Sequence, residues 1–267
     1  MRLISCSLEI IRDSYWLGSG IHEIRRMDNE QMKPTGWGDD SLSEFIEKAI
    51  HNTYASFDGL KDWYNRFKDI HLVFQHIANN LDRTNDWFAS FFLYRSHAAF
   101  LAGVRLALSG QVPEAYMVFR GCIENALYGL YISKNSESIK TWLSRHDDKK
   151  SKDKVRSEFT IGKLLRFLEN ENPELFKITL SLYERTIDLG GHPNEQAFLS
   201  MIKMTRSESM IKFDSIYLMG NEPPLALCLK SCAQIGINAL FVFQIIYKER
   251  FDILGLSDKL NMMKQGL

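Results

Sequence analysis

The stretch from Pro113 to Ser133 is apolar on nearly every face of a helix. Met117, Val118, Phe119, Cys122, Ile123, Ala126, Leu127, Leu130 and Ile132 leave no broad polar side. Such a helix has no face to give to water, so it belongs at the centre of a bundle. A second long segment, Leu225 to Tyr247, follows Asn221-Glu-Pro-Pro224 and closes with Lys248-Glu249-Arg250. Those closing cations sit where the helix dipole is negative. With 6 Pro and 16 Gly in 267 residues, long helices are favoured over many turns.

Amphipathic segments surround these two. Asp40 or Ser41 caps a helix carrying Phe45, Ile46, Ala49, Ile50 and Tyr54, with Glu44 placed for a capping box. Another runs from about Leu60 to Leu81. A long helix opens at Thr84 or Asn85 and stops at Gly110. The short link Gly110-Gln111-Val112-Pro113 then returns the chain antiparallel. A shorter helix covers Ser138 to His146. The mixed-sign run Asp147 to Lys154 reads as a solvated loop or helix start. Helices follow over Ser157 to Asn170 and Pro173 to Leu189, the latter with Pro in its first turn and Gly190-Gly191 at its end. Ile211, Phe213, Ser215 and Tyr217 alternate with Lys212, Asp214, Ile216 and Leu218 after a polar turn, which predicts a β-hairpin at about 197–218. The tail after Gly255 reads as short and marginal. Residues 1–40, punctuated by Gly18, Gly20, Pro34, Gly36 and Gly38, read as an irregular arm. The expected architecture is therefore all-α: an N-terminal arm over 1–40, then one helical-bundle domain over 41–267 with a small hairpin insertion.

Formal charge is zero, with 33 basic and 33 acidic side chains, so no global attraction to nucleic acid or anionic membrane is indicated. Cys6, Cys122, Cys228 and Cys232 form no CxxC pair and complete no zinc pattern. Cys228 and Cys232 read as buried thiols. The N-terminus lacks a small-residue cleavage site. The apolar run Gly236 to Tyr247 is too short for a bilayer. A cytoplasmic location without membrane insertion follows as the expectation. No nucleotide-binding glycine pattern, zinc-protease motif or Glu-x-x-His pair occurs, so no metal or cofactor is expected.

Two constellations carry chemistry. Arg120 and Glu124 are four apart on the most apolar helix and share a face. They either fix helix register as a compensated pair or form a pocket in which Arg binds an anion. Asn125, Tyr128 and Tyr131 lie near enough in sequence to join them, and His97 is a further candidate. The second constellation is Arg185-Thr-Ile-Asp-Leu-Gly-Gly-His192-Pro-Asn194. An Arg at a helix end and a His beyond a Gly-Gly break can face one phosphate, the Arg stabilising developing charge and the His moving a proton. The other reading makes Gly190-Gly191 a helix cap, with His192 and Asn194 holding the turn.

Arg185 and His192, separated by six residues at the end of a bundle helix, resemble the Arg-x(4–6)-His motif of HEPN (higher eukaryotes and prokaryotes nucleotide-binding) domains. His97-Ala98-Ala99, Arg120, Glu124, Leu127-Tyr128 and the Gly-Gly-His-Pro-Asn segment are similar to an uncharacterised bacterial all-α branch of that group. The resemblance covers roughly 85–220. It implies a homodimer and a metal-independent endoribonuclease of a toxin–antitoxin or phage-defence system, although some members lack activity. Arg185 would then stabilise the phosphate and His192 would be the general acid/base. Thr186 departs from the polar amide or acid that active members often carry there. Arg120, Glu124 and Asn194 are the accompanying binding candidates, and RNA the expected substrate. The alternative is a non-catalytic helical interaction or small-ligand-binding protein, suggested by the apolar helices and the irregular arm.

Overall fold

A computed structural model of the chain describes residues 33–191, 195, 199, 201–206 and 210–267. Within them it holds eleven α-helices and one two-stranded antiparallel hairpin. Most of the 1–40 arm lies outside the described residues.

The centre is built from α3 (Ala89–Leu108) and α4 (Val112–Lys134), which are antiparallel across a three-residue link. Gly110 makes that turn with φ +87, a conformation that only glycine adopts readily. A third central helix, α9 (Pro223–Ile246), packs on both. Phe100, Phe119 and Phe243 are fully buried where these helices meet. Each buried ring contributes about 1.5–3 kcal/mol relative to exposure. With mean hydropathy 1.6, α9 is long and apolar enough to cross a bilayer, yet 72% of its apolar stretch is buried inside the bundle. It is a core helix, and longer than the apolar run Gly236 to Tyr247 suggested.

Around this core lie α1 (Ser41–Gly59), α2 (Lys61–Ala78), α5 (Glu137–Leu143), α6 (Lys149–Glu158), α7 (Ile161–Glu171) and α8 (Pro173–Thr186). Asp40 caps α1 by accepting from the Leu42 and Ser43 amides, and Glu44 pairs with Lys48 instead of closing a capping box. The run expected as loop or helix start is the first part of α6, capped by Asp148. Ser157 lies in the last turn of that helix, which runs to Glu158, and α7 begins only after Phe159 and Thr160, with Phe159 buried. The segment after Gly255 is the helix α11 (Leu256–Met263), with Leu256 and Leu260 buried; it is anchored by that burial and follows α10 (Lys248–Ile253).

The hairpin is where the alternation placed it. Strands β1 (Ile202–Arg206) and β2 (Ile211–Ser215) pair with Met204 opposite Phe213. The Met219 amide then donates to the Gly110 carbonyl (2.8 Å), tying the return strand to the α3–α4 turn.

Candidate functional site

The site is a polar seam between α4, α8 and α9. Tyr116, Arg120 and Glu124 stand four apart on α4, so they form one row along the helix. Arg120 Nε donates to Glu124 Oε1 (2.8 Å). The Tyr183 hydroxyl from α8 donates to the same oxygen (3.1 Å), and the Arg120 guanidinium lies over the Tyr183 ring at 5.6 Å. Both side chains of the ion pair are about one-third exposed. The hydrogen bond to Glu124 raises the Arg120 pKa, so its charge is permanent and already matched. Burial, then the Glu124 charge, pushes the Tyr183 hydroxyl up to about 12. The structure thus brings Arg120 and Glu124 together. Asn125 instead donates to the Gly121 carbonyl and Tyr128 to the Phe159 carbonyl.

Arg185 stands on the last turn of α8, one step along the same seam. Its Nη1 donates to Ser231 Oγ (3.1 Å) and to Gln234 Oε1 (2.7 Å), both on α9. Ser231 also shares a hydrogen bond with the Tyr116 hydroxyl (3.1 Å) and donates to the Leu227 carbonyl. Burial pushes the Tyr116 hydroxyl up, so it stays protonated. Among the described residues no carboxylate pairs with Arg185 and no group accepts from its Nε or Nη2. Arg185 is therefore held in place by neutral groups while its charge stays unmatched within that set. Arg120, by contrast, is neutralised in place. Of the two arginines, Arg185 is the better equipped to receive an anion.

After α8 the chain does not cap on its glycines. Ile187–Gly191 form a π turn, a wider turn than the α-helix and one often found at functional sites. Gly190 is buried there against the start of α4. A Cβ at this position would lie 2.9 Å from Tyr116 Cβ and nearer still to the Pro113 carbonyl oxygen. Close approach to α4, and not a helix cap, explains Gly190. His192 and Asn194 lie outside the described residues.

A second pair of histidines meets elsewhere. His71 Nδ1 and His97 Nε2 are 2.8 Å apart, and the His97 ring stacks on Phe74 at 4.9 Å. Burial, then the facing His71, pushes His97 down to about 4; burial also lowers His71. His97 is thus a buried neutral core group and not part of the polar seam. Among the described residues no group of three metal-ligating side chains occurs.

Sequence reasoning missed Tyr116, Tyr183, Ser231 and Gln234. Tyr116 was readable from its spacing of four to Arg120. The α9 partners of Arg185 lie 46 and 49 residues away, and no local spacing shows them. Comparison of the chain with protein-family models, with curated proteins and with solved structures finds no match.

Proposed function

We propose that the chain is a HEPN-like, metal-independent endoribonuclease, cytoplasmic and dimeric, of the toxin–antitoxin or phage-defence kind. The observation that supports this most is Arg185: its guanidinium is fixed by Ser231 and Gln234, two neutral groups, and no described carboxylate cancels its charge. In this reading His192 accepts the proton of a ribose 2′-hydroxyl, and that oxygen attacks the adjacent phosphorus. The P–O bond to the 5′-oxygen breaks, and the imidazolium returns its proton to that leaving oxygen. The products are a 2′,3′-cyclic phosphate and a 5′-hydroxyl, so atoms and charge balance. Arg185 stabilises the doubly negative phosphorane, a task that fixed cationic donors perform without rearranging. The Arg120–Glu124–Tyr183 cluster holds α4 against α8 beside it.

The test is cleavage of a broad RNA panel by the full chain in EDTA. His192→Ala is expected to lower the rate by about 10²–10⁴-fold. Arg185→Ala is expected to lower it by about 10²–10³-fold. Equal rates for wild type and His192→Ala, or an inactive wild type across the panel, would sink the reading. The mass in solution tests the dimer. A non-catalytic interaction protein is the second reading, favoured by the uncovered apolar side chains of α1, among them Leu42, Tyr54 and Phe57. Its test is co-purification of a partner lost on substituting those side chains.

A further inference from the structure

The helix α1 has 19 residues and an amphipathic sequence, yet its buried residues are Ser43 and Ser56. Its large apolar side chains face outward: Leu42 66%, Ile46 37%, Ile50 38%, Tyr54 60% and Phe57 41% exposed. Polar bonds hold the helix to the bundle instead. Asn52 donates to the Ser109 carbonyl and Ser56 to the Leu108 carbonyl, both at the end of α3. An amphipathic surface helix normally turns such a stripe towards a core. Here the stripe runs along the outside.

The hairpin repeats the pattern. Opposed residues of an antiparallel pair share a face. One face therefore carries Ile202, Met204, Ile211 and Phe213, with Arg206 and Ser215 at its two ends, and the other carries Lys203, Thr205, Lys212 and Asp214. Phe213 is 65% and Met204 61% exposed. A bare two-stranded hairpin is marginal in water and needs an apolar face covered. The Tyr217 ring, just past β2, meets Phe45 of α1 edge-on at 6.4 Å, so the two uncovered surfaces adjoin.

We propose that residues 1–32 of this same chain lie across the outer side of α1 and the apolar face of the hairpin. The point of entry carries the argument. Lys33 Nζ pairs with Glu47 Oε1 (2.9 Å), and Trp37 Nε1 donates to Glu47 Oε2 (2.8 Å). The chain therefore arrives against the middle of α1, beside Ile46 and Ile50. A concave surface there joins Pro34, Gly36 and Trp37 to Leu42 and Ile46. A second groove of about 440 Å³ continues past Ile50 and Tyr54 to Arg105 and Leu106 of α3. From Leu42 to Phe57 the stripe is about 22 Å long. About seven extended residues span that distance, and 32 are present. The segment carries Leu3, Ile4, Leu8, Ile10, Ile11 and Trp16, with four arginines against five carboxylates, so charge does not hold it off an apolar surface. Tethering at Lys33 gives it a local concentration in the millimolar range, well above that of a second copy. The proposal stands on α1 and the hairpin and is independent of the nuclease reading.

The experiment uses the full chain with the photo-cross-linker p-benzoylphenylalanine at Ile50, at Tyr54 or at Phe213, and at Lys152 of α6 as control. Light- and heavy-nitrogen proteins are mixed in equal amounts before irradiation, and the linked peptides are identified by mass spectrometry. The expected result is links from the three test positions to peptides of 1–32, in same-isotope pairs, with a yield on the order of 10²-fold above the control. Mixed-isotope pairs would show that a second copy covers the surface and would overturn the proposal. Links confined to residues beyond 33, or no yield above the control from any test position, would overturn it as well.

Discussion

Gly190→Ala probes how the π turn is seated. The added methyl would lie 2.9 Å from Tyr116 Cβ and closer to the Pro113 carbonyl oxygen. Both belong to the first turns of α4, whose backbone is locked into the central pair of helices. The flexible end of a side chain could give way, but a backbone carbonyl in the core cannot. The turn must back off by about 1 Å to regain ordinary contact distances. Overpacking of this kind costs about 1–3 kcal/mol. Replacing glycine in a helical turn returns up to about 1 kcal/mol, so the net loss is about 1–2 kcal/mol. For a chain of this size that lowers Tm by about 2–8 °C. Gly162→Ala in α7 is the control, because nothing lies within 4 Å of its added Cβ. It gains about 0.5–1 kcal/mol from helix propensity alone. Differential scanning calorimetry on the three proteins reads both shifts. RNA cleavage should fall with Gly190→Ala by up to about 10²-fold, since the turn carries the chain from Arg185 to His192 and a 1 Å misplacement has that effect. If Gly190→Ala melts at or above wild type while Gly162→Ala rises as expected, the close-approach argument is wrong.

The buried His97 makes stability depend on pH. Folded, it titrates at about 4; unfolded, near 6.5. Between those values the unfolded chain binds the extra proton, so the contribution is complete above pH 6.5 and is lost as pH falls towards 4, by on the order of 3 kcal/mol. Urea midpoints at pH 7.5 and 4.0 should therefore differ less for His97→Leu than for wild type, and equal differences would refute the assignment. Burial pushes the Cys122 and Cys228 thiols up to about 12 and also raises Cys232 well above the ordinary thiol value. Iodoacetamide at pH 8 should leave all three unmodified in the native protein and alkylate them in guanidinium, as read by peptide mass spectrometry. For Arg120 and Glu124, a double-mutant cycle with alanine should give a coupling below about 1 kcal/mol, because the pair is one-third exposed. A coupling above about 2 kcal/mol would show that the pair is far better shielded than its exposure indicates.

Much of the architecture was legible because burial leaves a periodic trace. Apolar side chains on every side of Pro113–Ser133 identified α4 as central, and Gly110 marked the return between α3 and α4. Alternation from Ile211 to Ser215 marked the hairpin because pleated side chains repeat every second residue. Boundaries were less legible. Thr84 or Asn85 reads as the opening of α3, but the helix begins at Ala89 after a set of turns. The candidate site divides the same way. Arg120 and Glu124 are local on one helix, so their spacing revealed them. The Tyr183 hydroxyl, the hold of Ser231 and Gln234 on Arg185, and the meeting of His71 with His97 are tertiary facts between distant helices. Nothing in the local pattern of α1 showed that its stripe would face outward, since amphipathicity gives a face but not its partner.

The position of α9 along the chain has a consequence for synthesis. The groove between α3 and α4 is complete once Lys134 has emerged, but the helix that fills it begins at Pro223, about 90 residues later. At roughly 5–20 residues per second, that leaves the groove open for about 5–20 s on each ribosome. During that interval Phe100 lacks the backbone of Gly236 against its ring, and Gly129 lacks the ring of Phe243. When α9 emerges it is the most apolar stretch the nascent chain has yet offered to its surroundings. The keystone of this bundle is laid late, and whatever shelters the waiting groove is part of how the protein reaches its fold.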